Sequence, residues 1–212
     1  MDAKKTTQNT SGGFSNGVHT ILPLDTNPLL REKSHALSQK DIQGPRIKKL
    51  VVEMIKLLAK EEFGVALAAV QVGEPIRLFI VSGRAISRGA RNALDEHSGK
   101  SDSPPSGESD FPDQVYINPV LQKLSRGKIE KHEGCLSVRG KWGEVPRAEK
   151  ATLRYLDEEG KPQTRGASGF LAHIFQHEMD HLEGVLYIDK AVQLYDDPVK
   201  DEQGSSHGAS TK

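Results

Sequence analysis

The sequence predicts an α+β fold in which short antiparallel strands wrap a central helix. Three observations carry this. From Ser168 to Glu183, apolar residues Phe170, Leu171, Ile174, Phe175, Met179 and Leu182 cover much of a helical circumference, so that helix should be buried. From Arg46 to Glu62 they keep to one stripe (Ile47, Leu50, Val51, Met54, Leu57, Leu58), so that helix should pack on the outside. The other apolar stretches are strand-length, and helices laid against such a sheet give an α+β domain.

The elements follow in order. Residues 1–20 are polar, with Gly12-Gly13 and little to bury, and read as a flexible tail. A single domain is expected over 21–192. Phe63-Gly64 ends the outer helix, and Gly64 to Gly73 is a run of small residues that lets another backbone approach closely. Arg77–Val81 is a short buried strand. From Gly83 the pattern collapses, and the Ser-, Gly- and Pro-rich run reads as a surface insertion over about 84–113. Val115–Pro119 is a strand and turn. Ala151–Asp157 alternates as a half-exposed strand, and Glu158–Lys161 is a hairpin turn. Gly184 stops the central helix, Val185–Ile188 reads as a last strand, and 193–212 reads as a disordered polar tail.

Composition narrows the function classes. The chain has 212 residues with 35% hydrophobic content, enough for one sizeable core. Lys+Arg and Asp+Glu number 29 each, so nothing points to nucleic acid or a membrane surface as partner. No apolar run reaches spanning length, and the first twenty residues lack the apolar stretch of a secretory signal. Cys135 is the only cysteine, so no intrachain disulfide can form. A cytoplasmic location is the expectation, and there a lone cysteine becomes a candidate for chemistry.

That chemistry is indicated by His177-Glu178-Met179-Asp180-His181, which reads H-E-x-x-H. On a helix, residues four apart share a face, so His177 and His181 can meet one metal ion. Glu178 can reach a water beside it. A third ligand is open at this point. Glu133-Gly134-Cys135-Leu136-Ser137 offers a thiolate, which suits Zn²⁺ or Fe²⁺. Two His and one Cys would leave a fourth position for water, the layout of a catalytic site.

GVALAAVQVG (64–73), EGCLS (133–137) and QHEMDHLEG (176–184), in that order, resemble the three signature motifs of the peptide deformylases. Val145-Pro146-Arg147 and Val185–Asp189 fit the same pattern. The resemblance covers roughly Ile47 to Lys190 apart from the insertion, and it implies a peptide-deformylase-like fold. It further implies that Cys135, His177 and His181 bind one divalent metal ion. Fe²⁺ is the family's ion in the cell, with Zn²⁺ or Ni²⁺ able to occupy the site. Glu178 would be general base and then general acid, and the Gln71 amide and Leu136 N–H would hold the oxyanion. Glu133 would orient a ligand His, with Arg147 as its charge partner. Gly64, Val65, Ala66 and Ile174 would line the substrate site. There the peptide pairs like an added strand and an apolar pocket takes its methionine. The implied reaction removes the formyl group from the formyl-methionine terminus of nascent polypeptides, releasing formate.

The chain departs from the family pattern at Ala66, where the family has Gly, and at Arg139, where it has Pro. Trp142 falls where many members carry an Arg nearby. In place of the basic ribosome-docking helix that ends many members, the tail here carries Asp196, Asp197, Asp201 and Glu202 against Lys200 and Lys212. These bear on peptide choice and on a ribosome partner, not on the chemistry. His173, one turn before His177, is read as a buried or rim His and not a fourth ligand, which would close the site. His132 is read the same way, and Trp142 as packing. Two alternatives stand beside this reading: a deformylase-like hydrolase acting on other formylated or short peptides, and an H-E-x-x-H metallopeptidase. The latter would need a third ligand downstream of the helix.

Overall fold

A computed structural model of the chain describes residues 19–94 and 111–196. Two helices come first. α1 (Gln39–Gln43) is capped by Ser38, whose hydroxyl accepts from the Asp41 N–H. α2 (Pro45–Lys60) has Pro at its first position, where a missing N–H costs nothing. Its buried side chains are Ile47, Leu50, Val51, Met54 and Leu58, the stripe expected from spacing.

Strand β1 (Ala66–Ala68) pairs with β2 (Leu78–Val81), and a 3-10 turn at Ala69–Val72 lies between them. Leu78 and Ile80 pack in the cluster containing α2, whereas Phe79 and Val81 pack in the second cluster. This is why Leu-Phe-Ile-Val is apolar at every position: both faces of the strand are covered.

α3 (Gly83–Leu94) follows. It corrects the first part of the surface insertion expected over about 84–113, because 83–94 is a helix packed on the core. Ala85 and Ile86 are buried, and a Cβ on Gly89 would stand 3.1 Å from Leu171 Cβ. The helix is built from small residues for close approach to a neighbouring helix, so its apolar stripe is faint in the sequence. The run 95–110 lies outside the described residues.

β3 (Gln114–Leu124) pairs with β2, and further on with β6 (Lys150–Leu156). Between them in sequence comes a hairpin, β4 (Lys128–Cys135) and β5 (Val138–Ala148). β6 turns through Asp157–Lys161 into β7 (Pro162–Ser168). The result is a five-stranded antiparallel sheet in the order β1-β2-β3-β6-β7 and a smaller sheet in the order β4-β5-β8, with β8 at Gln193–Asp196. The central helix α4 (Gly169–Leu182) packs Leu171, Ile174, Phe175, Met179 and Leu182 with Phe79, Tyr116, Val145 and Leu153. Phe175 meets Tyr116 edge-on at 5.2 Å, a geometry that adds to area burial.

Gly184 ends α4 at φ 74°. Its N–H donates to His181 O, and the Val185 N–H donates to Asp180 O, a Schellman closure. Val185–Ile188 is therefore not the strand expected. The chain has just reversed, and a 3-10 turn follows at Tyr187–Asp189. The last strand is β8 (Gln193–Asp196), inside the segment expected to be disordered, and it pairs Tyr195 with Trp142 of β5. A free edge of β5 recruits it, which local composition does not reveal. Residues 197–212 lie outside the described residues.

The flexible tail expected over 1–20 falls almost wholly outside the described residues, at 1–18. His19, however, is buried with its Nδ1 2.5 Å from Glu53 Oε2 on α2. No helix among the described residues is long and apolar enough to cross a membrane.

Candidate active site

α4 places His177 and His181 one turn apart, with ring centroids 5.0 Å apart. The third donor arrives from the small sheet. Cys135 closes β4, and its Sγ lies 3.3 Å from His181 Nε2. The ligand atoms of Cys135, His177 and His181 all fall within 4.8 Å of one another, and no other such group occurs among the described residues. In particular, His173 lies outside it.

The surroundings hold these donors in a set state. His177 Nδ1 is 2.8 Å from Glu133 Oε2, which leaves Nε2 for a metal. Arg147 grips Glu133 with both arms, Nε to Oε1 at 2.7 Å and Nη2 to Oε2 at 2.9 Å. Burial alone would raise Glu133, but the bonds from Arg147 and His177 bring its carboxyl down to about 2. Burial would likewise raise the Cys135 thiol and discharge His177. The nearness of His181 and His177 instead holds the thiol well below its ordinary value. The bonds to Cys135 and Glu133 hold His177 well above its own. The pair is a thiolate facing an imidazolium, and a divalent metal would take the thiolate as donor and displace the His177 proton.

Glu178 is buried between the two histidines, and burial pushes its carboxyl up to about 6. Its Oε2 is fully buried and meets no hydrogen-bond partner. Such an atom costs about 1–3 kcal/mol unless a ligand or water meets it. With a two-nitrogen, one-sulfur donor set alongside, this orphaned oxygen makes the residues fit a catalytic metal and its water.

Gln71 is buried in the 3-10 turn after β1. Its Oε1 accepts from the Ala68 N–H at 2.8 Å, so the amide cannot reverse. Nε2 is thereby aimed at Cys135 Sγ (3.5 Å) and Ser137 Oγ (3.3 Å). Leu136 sits beside Cys135 in the two-residue turn between β4 and β5. Ala66 and Ile174 pack in one cluster with half-buried Val65 and Cys135. β1 is an edge strand, with a side open to an added chain. Gly64 precedes Val65 at the start of this edge. A Cβ there would stand 2.8 Å from both Leu58 Cδ1 and Glu61 Cβ, so glycine lets the chain pass close to the end of α2.

Three features were not foreseen from sequence. Asp180 Oδ2 takes the third Arg147 nitrogen at 2.5 Å, and Lys190 bonds its other oxygen at 2.6 Å. Ser137 Oγ accepts from Gln71. The N-terminal segment clamps the site from behind, through Leu22 N–H to Gln71 O, Leu24 N–H to Ser137 O and Asn27 Nδ2 to Val70 O, each 2.8 Å. The apolar Ile21, Leu22 and Leu24 after a polar start were the signal available. His132 is exposed, 3.9 Å from Glu144. Trp142 lies against Gly134, where a Cβ would stand 2.8 Å from its ring.

A family model described as polypeptide deformylase matches residues 18–196. The chain is 34% identical over 194 residues to a peptide deformylase of Brucella suis, covering 91% of this chain and 95% of that one. It is 36% identical over 167 residues to a peptide deformylase of Thermus thermophilus, covering 77% and 78%. Among solved structures it is similar to a Met-Ala-Ser-bound class I type b peptide deformylase from Acinetobacter baumannii. That match has a TM-score of 0.66 and 26% identity, over 82% of this chain and 98% of that one.

Proposed function

The chain belongs to the polypeptide deformylase family, and from that premise we propose how its own residues deformylate nascent polypeptides. It is a metal-dependent hydrolase. The observation that carries the assignment of roles is the meeting of Cys135 with His177 and His181 beside a Gln71 amide of fixed direction.

Cys135, His177 and His181 would hold one divalent ion, which would supply Lewis acidity and lower the pKa of the attacking water. We infer Fe²⁺ in the cell, with Zn²⁺ or Ni²⁺ able to replace it. Glu178 takes a proton from the water as it attacks the formyl carbon, then passes that proton to the departing amine. A carboxyl raised toward the working pH is suited to both transfers. Charge that develops on the formyl oxygen is met by Gln71 Nε2 and the Leu136 N–H. Glu133 holds the His177 ring, and Arg147 holds Glu133.

The formyl-peptide lies along the open edge of β1, bonded to the backbone of Val65 and Ala66, with its first side chain against Ile174. A related deformylase has been solved with Met-Ala-Ser bound, which supports a formyl-methionine peptide as substrate. One catalytic domain carries all of this. We place the reaction in the cytoplasm, on the nascent chain as it leaves the ribosome. The acid-bearing tail after Lys190 does not favour docking there.

The test is formate release from formyl-Met-Ala-Ser by anaerobically iron-loaded protein. Turnover lost in Glu178→Ala supports the reading. No release above that control by either iron- or nickel-loaded protein would overturn it.

A further inference from the structure

We propose that His173 selects the first side chain of the substrate: its imidazole edge stands in the cleft between α4 and β4, one step beyond the metal-ligand positions, and favours formyl-peptides whose first side chain ends in a hydrogen-bonding group. The proposal rests on the deformylase reading above.

Two stripes of side chains face each other across this cleft. On α4, His181, His177 and His173 recur every four residues, about 6 Å apart along the axis. On β4, Cys135, Glu133 and Lys131 recur every two residues, a rise of about 6.6 Å. The periods nearly match, so the stripes stay in step. Cys135 meets His181 at 3.3 Å and Glu133 meets His177 at 2.8 Å. Glu133 Oε1 then comes to 3.8 Å from His173 Nε2, with Lys131 close enough for its charge to act on that ring. The first two steps are taken up by the metal ligands and their support. The third is not used by anything described so far.

His173 is nine-tenths buried: its side chain is 9% exposed. Its Nε2 is fully buried and makes no hydrogen bond. The 3.8 Å to Glu133 is too long for one, and both Glu133 oxygens are already held by Arg147 and His177. Packing alone would be served better by Leu or Ile, because an unmet buried nitrogen is costly. Burial also holds the ring's pKa down to about 4, which keeps it neutral and able to donate or accept. Ile174 beside it and Phe170 a turn earlier supply apolar walls. On this proposal the end of a linear first side chain lying along those walls meets Nε2. Methionine offers sulfur, a weak acceptor, whereas glutamine, of similar length, offers a full amide. Norleucine has the same shape and offers neither.

The experiment compares kcat/KM for formyl-Met-Ala-Ser, formyl-Gln-Ala-Ser and formyl-norleucine-Ala-Ser, using the full metal-loaded protein, with metal content measured in parallel. Wild type should cleave the Gln peptide at least as well as the norleucine peptide, where a fully apolar pocket would penalise the amide about a thousandfold. In His173→Leu the Gln-to-norleucine ratio should fall about tenfold or more at unchanged metal content, the worth of one net hydrogen bond. His173→Gln should retain the ratio. A ratio unmoved in His173→Leu overturns the proposal and leaves His173 as packing. So does a clear wild-type preference for norleucine over Gln, which decides the matter even if His173→Leu does not fold. Failure to cleave any of the three peptides would sink the deformylase reading itself, and this inference with it.

Discussion

At the scale of single residues, the site separates groups that bind from groups that react. Cys135, His177 and His181 bring donors into place, and Glu178 keeps an unmet oxygen ready. Glu178→Gln should therefore cut turnover about 10²–10⁴-fold, the usual worth of a positioned general base, while metal content stays at wild-type level. Kinetics and elemental analysis on one preparation check this. Glu133 acts at one remove, through His177. Glu133→Ala should weaken metal binding about 10–100-fold in a chelator competition, because the ring loses its anchor and Arg147 loses a buried partner. Gln71→Leu should instead leave metal affinity alone and lower kcat about 10²–10³-fold, the cost of one missing oxyanion donor. A parallel loss of metal would show that Gln71 serves the Cys135 sulfur, 3.5 Å from its Nε2, rather than the substrate.

At the scale of elements, what was legible in the sequence was what local spacing can encode. The α2 stripe and the α4 faces were read almost residue for residue, because a helix repeats its burial every turn. Leu78–Val81 was legible because both of its faces are covered. The β4–β5 hairpin was not. Lys128 to His132 is exposed at every position, so no alternation marks the strand that delivers Glu133 and Cys135. β8 was missed for a related reason, since it is held by the edge of β5 and not by its own burial. The site was legible as three motifs, but their meeting depends on those two strands. Supporting partners such as Asp180 and Ser137 emerged only in three dimensions. Gly184 was read as a helix stop, and its φ of 74° and the 2.7 Å from a would-be Cβ to Arg31 O show why no other residue serves. Met54 gives the test for α2: it is fully buried and far in role from the metal. Met54→Ala should cost about 2–5 kcal/mol in urea unfolding, with kcat per folded molecule unchanged.

At the scale of the whole molecule, the site is held between two bodies of structure that meet at the N-terminal segment. Leu22 and Leu24 bond the backbones of Gln71 and Ser137, which belong to different sheets' ends, and His19 ties the same segment to α2 through Glu53. Lys49 adds a weaker contact to Glu53, and Arg46 bonds Glu74 across from His19. The bond from His19 holds the Glu53 carboxyl below its ordinary value of 4.5, against the smaller opposing effect of burial. A depressed carboxylate binds fewer protons folded than unfolded at a given acidity, so unfolding takes protons up. Its contribution to stability is therefore present above the unfolded value of 4.5 and is lost as pH falls through the lower folded value. Glu53→Gln should be less stable than wild type at neutral pH, and the gap between the two urea midpoints should close as pH is brought below 4.5. A gap that stays constant with pH would mean that the Glu53 side chain acts by packing and not by charge. Because the clamp reaches Gln71 through Leu22, the same variant should also lose more of its activity than of its metal, which ties the far end of the molecule to the oxyanion donor rather than to the ligands.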